Sequence, residues 1–443
     1  MRNTNRNVIL GLSCFSFVAA TVAFAQDWPQ WRGVNRDGKA AEFTVPKTWP
    51  KELTQKWKVT VGVGDAGPAL VGGKLFVFSR EGTSEVTRCL DAATGKEIWQ
   101  DKYDAPAVSG ADSQHPGPRG TPTVVNGKVL TLGIGGTVSC LDAATGKKLW
   151  RKDDFPGAVP RFHTGTSPIA VDGLCIVQLG READGGVVAY DLATGEQKWK
   201  WTGTGDGPAY GSPVLLTVEG TKMIVTITAK SIIAVGTADG KLLWQAPFAA
   251  SGMAYNATTP IVDGQTVIYC GQNRGAKAVK LEKQGESYSA KELWSNTERS
   301  PQFNTPVLKD GFLYGLTQGG EIFCINAQSG QNAWSVPSAG GAAPAAAPGG
   351  GGMGGRGGRG GGMGGRGGGM GGTAGYGSIV DAGSVLMALT PASQLIVFQP
   401  DSKAYNEVAR IKVADSATYA CPVPAGNRVF VKDQNSVILW SLE

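Results

Sequence analysis

The segment LDAATGKEIW at 90–99 recurs as LDAATGKKLW at 141–150, YDLATGEQKW at 190–199, GTADGKLLW at 236–244 and INAQSGQNAW at 325–334. Each copy ends in a tryptophan: Trp99, Trp150, Trp199, Trp244 and Trp334. A unit that returns every few tens of residues marks a solenoid, a propeller or an array, because one unit cannot bury its apolar face alone.

Outward from the second copy, residues 120–152 read GTPTVVNGKVLTLGIGGTVSCLDAATGKKLWRK. Pro122 cannot donate to a ladder, so it belongs where a strand opens or at an edge. A β-branched run leads to Asn126-Gly127, the dipeptide that suits a type I′ hairpin because both central residues need positive φ. VLTLGI, a Gly-Gly turn and TVSCLDA follow, then a tight turn at 144–147 with Gly146 in the left-handed region, then KKLWRK. The unit reads as a four-stranded antiparallel meander without helix.

The hairpin dyad recurs as Gly72-Gly73, Asp172-Gly173, Asp263-Gly264 and Asp310-Gly311, and the opening proline as Pro68, Pro168, Pro213, Pro260, Pro306 and Pro422. Units fall near 67–100, 120–152, 166–200, 211–245, 258–296, 304–335, 377–413 and 417–440. The last has no fourth strand, whereas LTQKWKVTV at 53–61 is a strand without a sheet, with Trp57 at the repeat tryptophan's place. A ring closes if the early strand completes the late sheet, which also removes an open edge. The sequence therefore predicts an all-β, eight-bladed propeller over 53–443, its ring closed by an N-terminal strand. An open β-solenoid is the alternative.

Residues 1–25 read as a signal peptide: Arg2 and Arg6, an apolar run from Val8, and Ala23-Phe24-Ala25 as the cleavage site near Ala25. No later apolar run reaches the roughly 18 residues of a membrane span. An exported protein, periplasmic or extracellular, is expected, with 26–52 as an N-terminal extension. The formal charge of +6 falls to about +1 once the leader and the arginines of a glycine-rich tract are set aside, so charge gives no case for a nucleic-acid partner. Of the cysteines beyond the leader, Cys89, Cys140 and Cys324 fill one repeat position. Equivalent positions of different blades lie too far apart for a disulfide's Cα span, so free thiols are expected. The tract, 338–377, holds runs of glycine with Arg356, Arg359 and Arg366; it cannot offset its ordering entropy and is expected to be a disordered insert between blades.

Ligands of such rings meet the loops just before the inner strands. HPGPRGTP (115–122) and RFHTGTSP (161–168) carry both histidines of the chain. The candidate ligand-binding ring is His115, Arg119, Arg161, His163, Tyr210, Asn256 and Asn304, with Asp65, Asp206, Arg299, Tyr376 and Tyr419 in comparable loops. Two guanidinium groups suit a carboxylate or phosphate. No metal site is expected from two histidines on different blades, and no hydrolase, zinc-protease or phosphate-loop motif is present. Catalytic residues are not assigned.

The TP…V.G opening and LDA.TGK..W close resemble the pyrroloquinoline-quinone (PQQ) repeat, which builds the eight-bladed quinoprotein alcohol and glucose dehydrogenases and the outer-membrane assembly factor BamB. The resemblance covers roughly 50–443 apart from the insert. It implies that Trp57, Trp99, Trp150, Trp199, Trp244, Trp294 and Trp334 dock each blade on the next. The seventh unit departs, with Ala409 near that position. DWPQWRGVNRDG at 27–38 looks like the opening of a group of secreted bacterial proteins with this repeat. The dehydrogenases carry adjacent cysteines in a disulfide, a calcium held by Glu, Asn and Asp, and an Asp base; this chain has no adjacent cysteines. The resemblance implies a non-catalytic, BamB-like scaffold without cofactor, monomeric, with an envelope protein or polymer as partner. A PQQ- and calcium-dependent alcohol or sugar dehydrogenase with a divergent site is the alternative, its cofactor carboxylates on Arg119 and Arg161. A carbohydrate or small-ligand binder is the third reading.

Overall fold

The computed structural model describes residues 27–40, 42–252, 254–339 and 376–443. The expected signal peptide and nearly all of the glycine-rich insert lie outside the described residues.

The described residues form eight four-stranded antiparallel sheets. Seven are consecutive in sequence, at 69–104, 123–152, 169–202, 214–247, 261–296, 307–337 and 378–412, here blades 1 to 7. Blade 8 takes three strands from 423–441 and its outermost from Thr54–Thr60, whose Val59 lies opposite Val437. The propeller is therefore closed by the early strand, as the orphaned KWKVTV run predicts.

The middle two strands of a blade are covered by a neighbouring blade on either side, so most of their residues are buried on both faces; Val129, Leu130, Cys140 and Leu141 are all fully buried. The outer strand alternates, and its tryptophan is the inward residue: Trp150 is 6 % exposed and Leu149 42 %.

The ten-residue motif joins two blades. Asp142 Oδ1 accepts from the Ala144 and Thr145 amides and the Thr145 hydroxyl; Asp91 and Asp191 do the same in their blades. These bonds hold the Asp91 and Asp142 carboxyls below their ordinary range, the threonine hydroxyl bond foremost. The turn glycine has φ near +70° and lies on the preceding blade's indole, Gly146 on Trp99 and Gly195 on Trp150. The indole N–H then donates into that same turn: Trp99 to Ala143 O at 3.2 Å, Trp150 to Leu192 O at 3.2 Å, Trp294 to Ala327 O at 2.7 Å. Trp57 reaches Ala92 O across the ring closure at 3.3 Å. Ala409 stands opposite Val397 beside a register shift, as Trp150 stands opposite Cys140, so blade 7 keeps the register and lacks the indole.

Three details depart from the sequence reading. Asp263 is the last residue of its strand, opposite Thr266, so that turn spans Gly264 and Gln265 rather than Asp263-Gly264. Blade 4 turns on Glu219-Gly220, both at positive φ, where no dyad was expected. Each opening proline precedes its inner strand by one residue, and the residue before it carries the structural role. The Thr121 amide donates to Ser167 Oγ, Ser167 to Ser212 Oγ, Ser212 to Thr259 Oγ1 and Thr259 to Thr305 Oγ1, at 2.8–3.1 Å. The Thr/Ser-Pro pairs thus form a hydroxyl arc that laces blades 2 to 6 along the channel.

The six cysteines at 89, 140, 175, 270, 324 and 421 are free. Burial raises the Cys89 thiol to about 11 and Cys140 to about 12, which makes them inert apolar fillers.

Candidate functional site

Residues 27–40 and 42–44 run through the channel and close it. Trp28 pairs with Leu70 of blade 1 through two backbone bonds, and Pro29 O accepts from Val124 of blade 2. Arg36, 5 % exposed, donates to the carbonyls of Pro168 and Pro213 in blades 3 and 4. Arg32, 2 % exposed, donates to Thr305 O at 2.6 Å and Pro306 O at 2.8 Å in blade 6. Ala40 bonds Asp381 of blade 7 and Thr44 bonds Gly426 of blade 8. Arginine suits this place because a planar fork of five donors can satisfy several converging carbonyls at once. Burial lowers both guanidinium pKa values, Arg36 to about 9.

Above this plug lies a cavity of about 420 Å³, floored by Trp31 and Arg32. Its wall has two unlike halves. Blades 3 to 8 contribute one half-buried aromatic each: Phe162, Tyr210, Tyr255, Phe303, Tyr376 and Tyr419. Neighbours touch, with ring centroids 5.4 Å apart for Tyr210–Tyr255, 5.7 Å for Tyr255–Phe303, 3.9 Å for Phe303–Tyr376 and 5.4 Å for Tyr376–Tyr419. Burial raises the phenol pKa values, Tyr210 to about 12, so the hydroxyls stay neutral.

The other half comes from the loops entering blades 1 and 2 and is charged. Asp65 Oδ2 accepts from His115 Nδ1 at 2.7 Å. A carboxylate can only accept, so the proton of this contact sits on Nδ1. Asp112 binds Arg119 at 3.1 Å and His163 Nδ1 at 2.7 Å, and Arg119 also donates to the Phe162 carbonyl. Behind Asp65, Lys432, 1 % exposed, shares its three N–H groups among the carbonyls of Gly62, Gly64, Asp433 and Gln434. Burial lowers this ammonium to about 8.

Of the residues expected in the ring, His115, Arg119, Tyr210 and Asn304 border the cavity, as do Asp65, Tyr376 and Tyr419. Asn304 also bonds Leu316 through its amide group. Arg161 and Asn256 border a separate cleft of about 300 Å³ beside it, where Asn256 is 1 % exposed and holds the Thr228 and Phe248 carbonyls. His163 stands behind Asp112. Asp206 is buried and accepts from the Lys230 amide, and Arg299 pairs with Glu321. The sequence reading missed Asp112, Phe162, Tyr255, Phe303 and the floor. Tyr210, Phe303 and Tyr419 each stand three residues before an opening proline, which was the available signal; Phe162 and Tyr255 stand six and five before theirs. Nothing local foretold the plug. Among the described residues no group of three or more His, Cys, Asp or Glu could hold a metal ion.

The sequence model of one family, described as outer membrane protein assembly factor BamB, matches residues 49–154 and 82–336. Quinohemoprotein alcohol dehydrogenase of Comamonas testosteroni is 31 % identical over 203 residues, 42 % of this chain and 27 % of the relative. BamB of Burkholderia pseudomallei is 27 % identical over 203 residues, 44 % of this chain and 46 % of the relative. The chain thus spans less than half the length of these relatives. Among solved structures, BamB from Moraxella catarrhalis superposes with TM-score 0.59 at 14 % identity, covering 88 % of this chain and 97 % of that one. The Comamonas testosteroni enzyme superposes with TM-score 0.64 at 16 % identity, covering 96 % and 82 %. At these identities the superpositions establish the propeller fold alone.

Proposed function

Because the chain belongs to the family of the outer membrane protein assembly factor BamB, whose units are PQQ repeats, we propose that it is an exported, non-catalytic propeller that serves as a binding scaffold in the cell envelope. The observation that carries this reading is the state of the charged groups in the cavity wall. Asp112 is engaged with Arg119 and His163, and Asp65 with His115, so each of these side chains already has a protein partner instead of facing a reacting group. The aromatic half offers contact surface. The absence among the described helices of any long and apolar enough to cross a membrane accords with a protein working in an aqueous compartment.

The named dehydrogenase relatives favour a second reading, a PQQ enzyme. The residues present do not fit that group. Three carboxylates need counter-charges, yet Arg119 is neutralised by Asp112, Arg161 lies in the adjoining cleft, and the wall adds the carboxylates of Asp65 and Asp112.

A photo-crosslinking residue placed at Arg161 or Tyr419, on the mouth, tests the scaffold reading in intact cells. Crosslinks to one envelope component, absent when the residue sits at Lys283 on the far edge of blade 5, are expected. Saturable binding of PQQ with calcium, coupled to reduction of an artificial electron acceptor, would replace this reading with the enzyme.

A further inference from the structure

We propose that the central cavity is a saccharide site, taking one or two neutral sugar rings with their C–H face on the aromatic arc and their hydroxyls on the Asp65–His115–Arg119 wall. This rests on the binding-scaffold reading and names what the cavity of that scaffold holds.

Three observations converge. The cavity, about 420 Å³ and closed below by Trp31 and Arg32, lies in the range of small-ligand sites and is blind, so a ligand enters by one end. Its two halves differ in chemistry. An arc of six half-buried aromatic residues faces a wall that supplies acceptors at Asp65 and Asp112, and donors at Arg119. The Asp65 carboxylate accepts only one hydrogen bond from a side chain among the described residues, that of His115, so acceptor capacity remains. Charge decides between ligand classes. In the wall Asp112 offsets Arg119, and the side chains stay 10–24 % exposed. An anion entering here would shed hydration without finding a free counter-charge, and Asp65, the carboxylate not paired with a guanidinium, is already engaged by His115. A flat hydrocarbon or aromatic ligand would satisfy the arc and leave the wall's donors and acceptors without water or partner. A sugar ring has an apolar C–H face and a hydroxyl-rich edge, and it carries no charge. The tyrosine hydroxyls, kept neutral by burial, add donors along the arc.

The test is calorimetric titration of the full mature chain with glucose, N-acetylglucosamine and their β-linked disaccharides. Benzoate, tyramine and PQQ serve as charged aromatic comparators. Saturable binding of at least one saccharide is expected, weakened about tenfold or more by Phe303→Ala in the arc and by Asp65→Asn in the wall. The proposal is overturned if no saccharide binds up to about 10 mM, if a comparator binds while all saccharides fail, or if both variants bind as the wild type does. Should either variant not fold, saturation-transfer NMR on the wild type decides: transfer to the C–H protons of one sugar face supports the site, and no transfer removes it. The outcomes separate the two levels. Absent sugar binding with mouth crosslinks retained removes only the saccharide, and sugar oxidation in the presence of PQQ and calcium removes the non-catalytic reading while keeping the ligand.

Discussion

Gly146 lies directly on the indole of Trp99: a Cβ on Gly146 would stand 2.5 Å from Trp99 Cε3, and Gly146 has φ +73°. Gly127 has nearly the same φ, +70°, with nothing within 4 Å. Both glycines meet the left-handed penalty and only one meets a ring. Gly127→Ala should therefore cost about 1 kcal/mol and Gly146→Ala about 2–4 kcal/mol in denaturant unfolding. Equal costs would mean that the turn glycine serves backbone conformation alone.

Removal of one indole N–H tests the docking role. Trp294→Phe keeps an aromatic ring and leaves the Ala327 carbonyl without the 2.7 Å bond; it should cost about 1–2 kcal/mol. Trp294→Ala should cost about 3–5 kcal/mol through the cavity it opens. A Phe variant as stable as the wild type would assign the tryptophan to packing only.

Arg36 ties the plug to blades 3 and 4. Arg36→Lys keeps the charge but has one nitrogen where the guanidinium spans two strands, so at least one buried carbonyl loses its donor. A loss of about 2 kcal/mol or more is expected, with faster proteolysis within 27–45. Unchanged stability and protease resistance would show that the plug is not needed to hold the ring.

Glu85, 1 % exposed, accepts from the Ile134 amide at 2.8 Å and from Tyr103. Burial raises its pKa above the ordinary 4.5, against the lowering effect of those bonds and of Arg80 and Arg151. The folded state thus favours the protonated form. That contribution is fully present below pH 4.5 and is lost as pH rises from there through the raised value. Glu85→Gln, which keeps the shape and does not ionise, should gain stability relative to the wild type across that window. Urea titrations run at intervals from pH 4 to 8 read it; parallel curves would contradict the assignment.

The free thiols make a simple prediction. Reductant should leave the melting temperature within about 1 °C, against the several degrees expected if a bridge worth about 2 kcal/mol were broken.

The architecture was legible in the sequence because a blade is a local unit. Its turns need glycine at positive φ, its Asp caps its own turn three residues on, and its tryptophan returns at one register position. Such rules act within about ten residues and repeat, so each copy supports the others, down to the orphan strand that completes blade 8. The alternation of Leu149 and Trp150 or Ile98 and Trp99 likewise told which side of the outer strand is buried. The partners of these residues were hidden, since Gly146 and Trp99 belong to different blades. The hydroxyl arc was written as Thr-Pro and Ser-Pro, yet each hydroxyl serves an amide some 45 residues away. The candidate site was legible only in part. Position before an inner strand brought His115, Arg119 and Tyr210 to the cavity. It could not tell Arg161 from Arg119, because loop direction, not loop membership, decides which side chain turns inward. The sequence by itself determined the number of blades, their strand order and the closure of the ring, which follow from short-range backbone and packing rules. Only the tertiary structure decided that residues 27–40 and 42–44 plug the channel, and that six aromatic residues from six blades face one charged wall, because those contacts join residues that nothing but ring closure brings together.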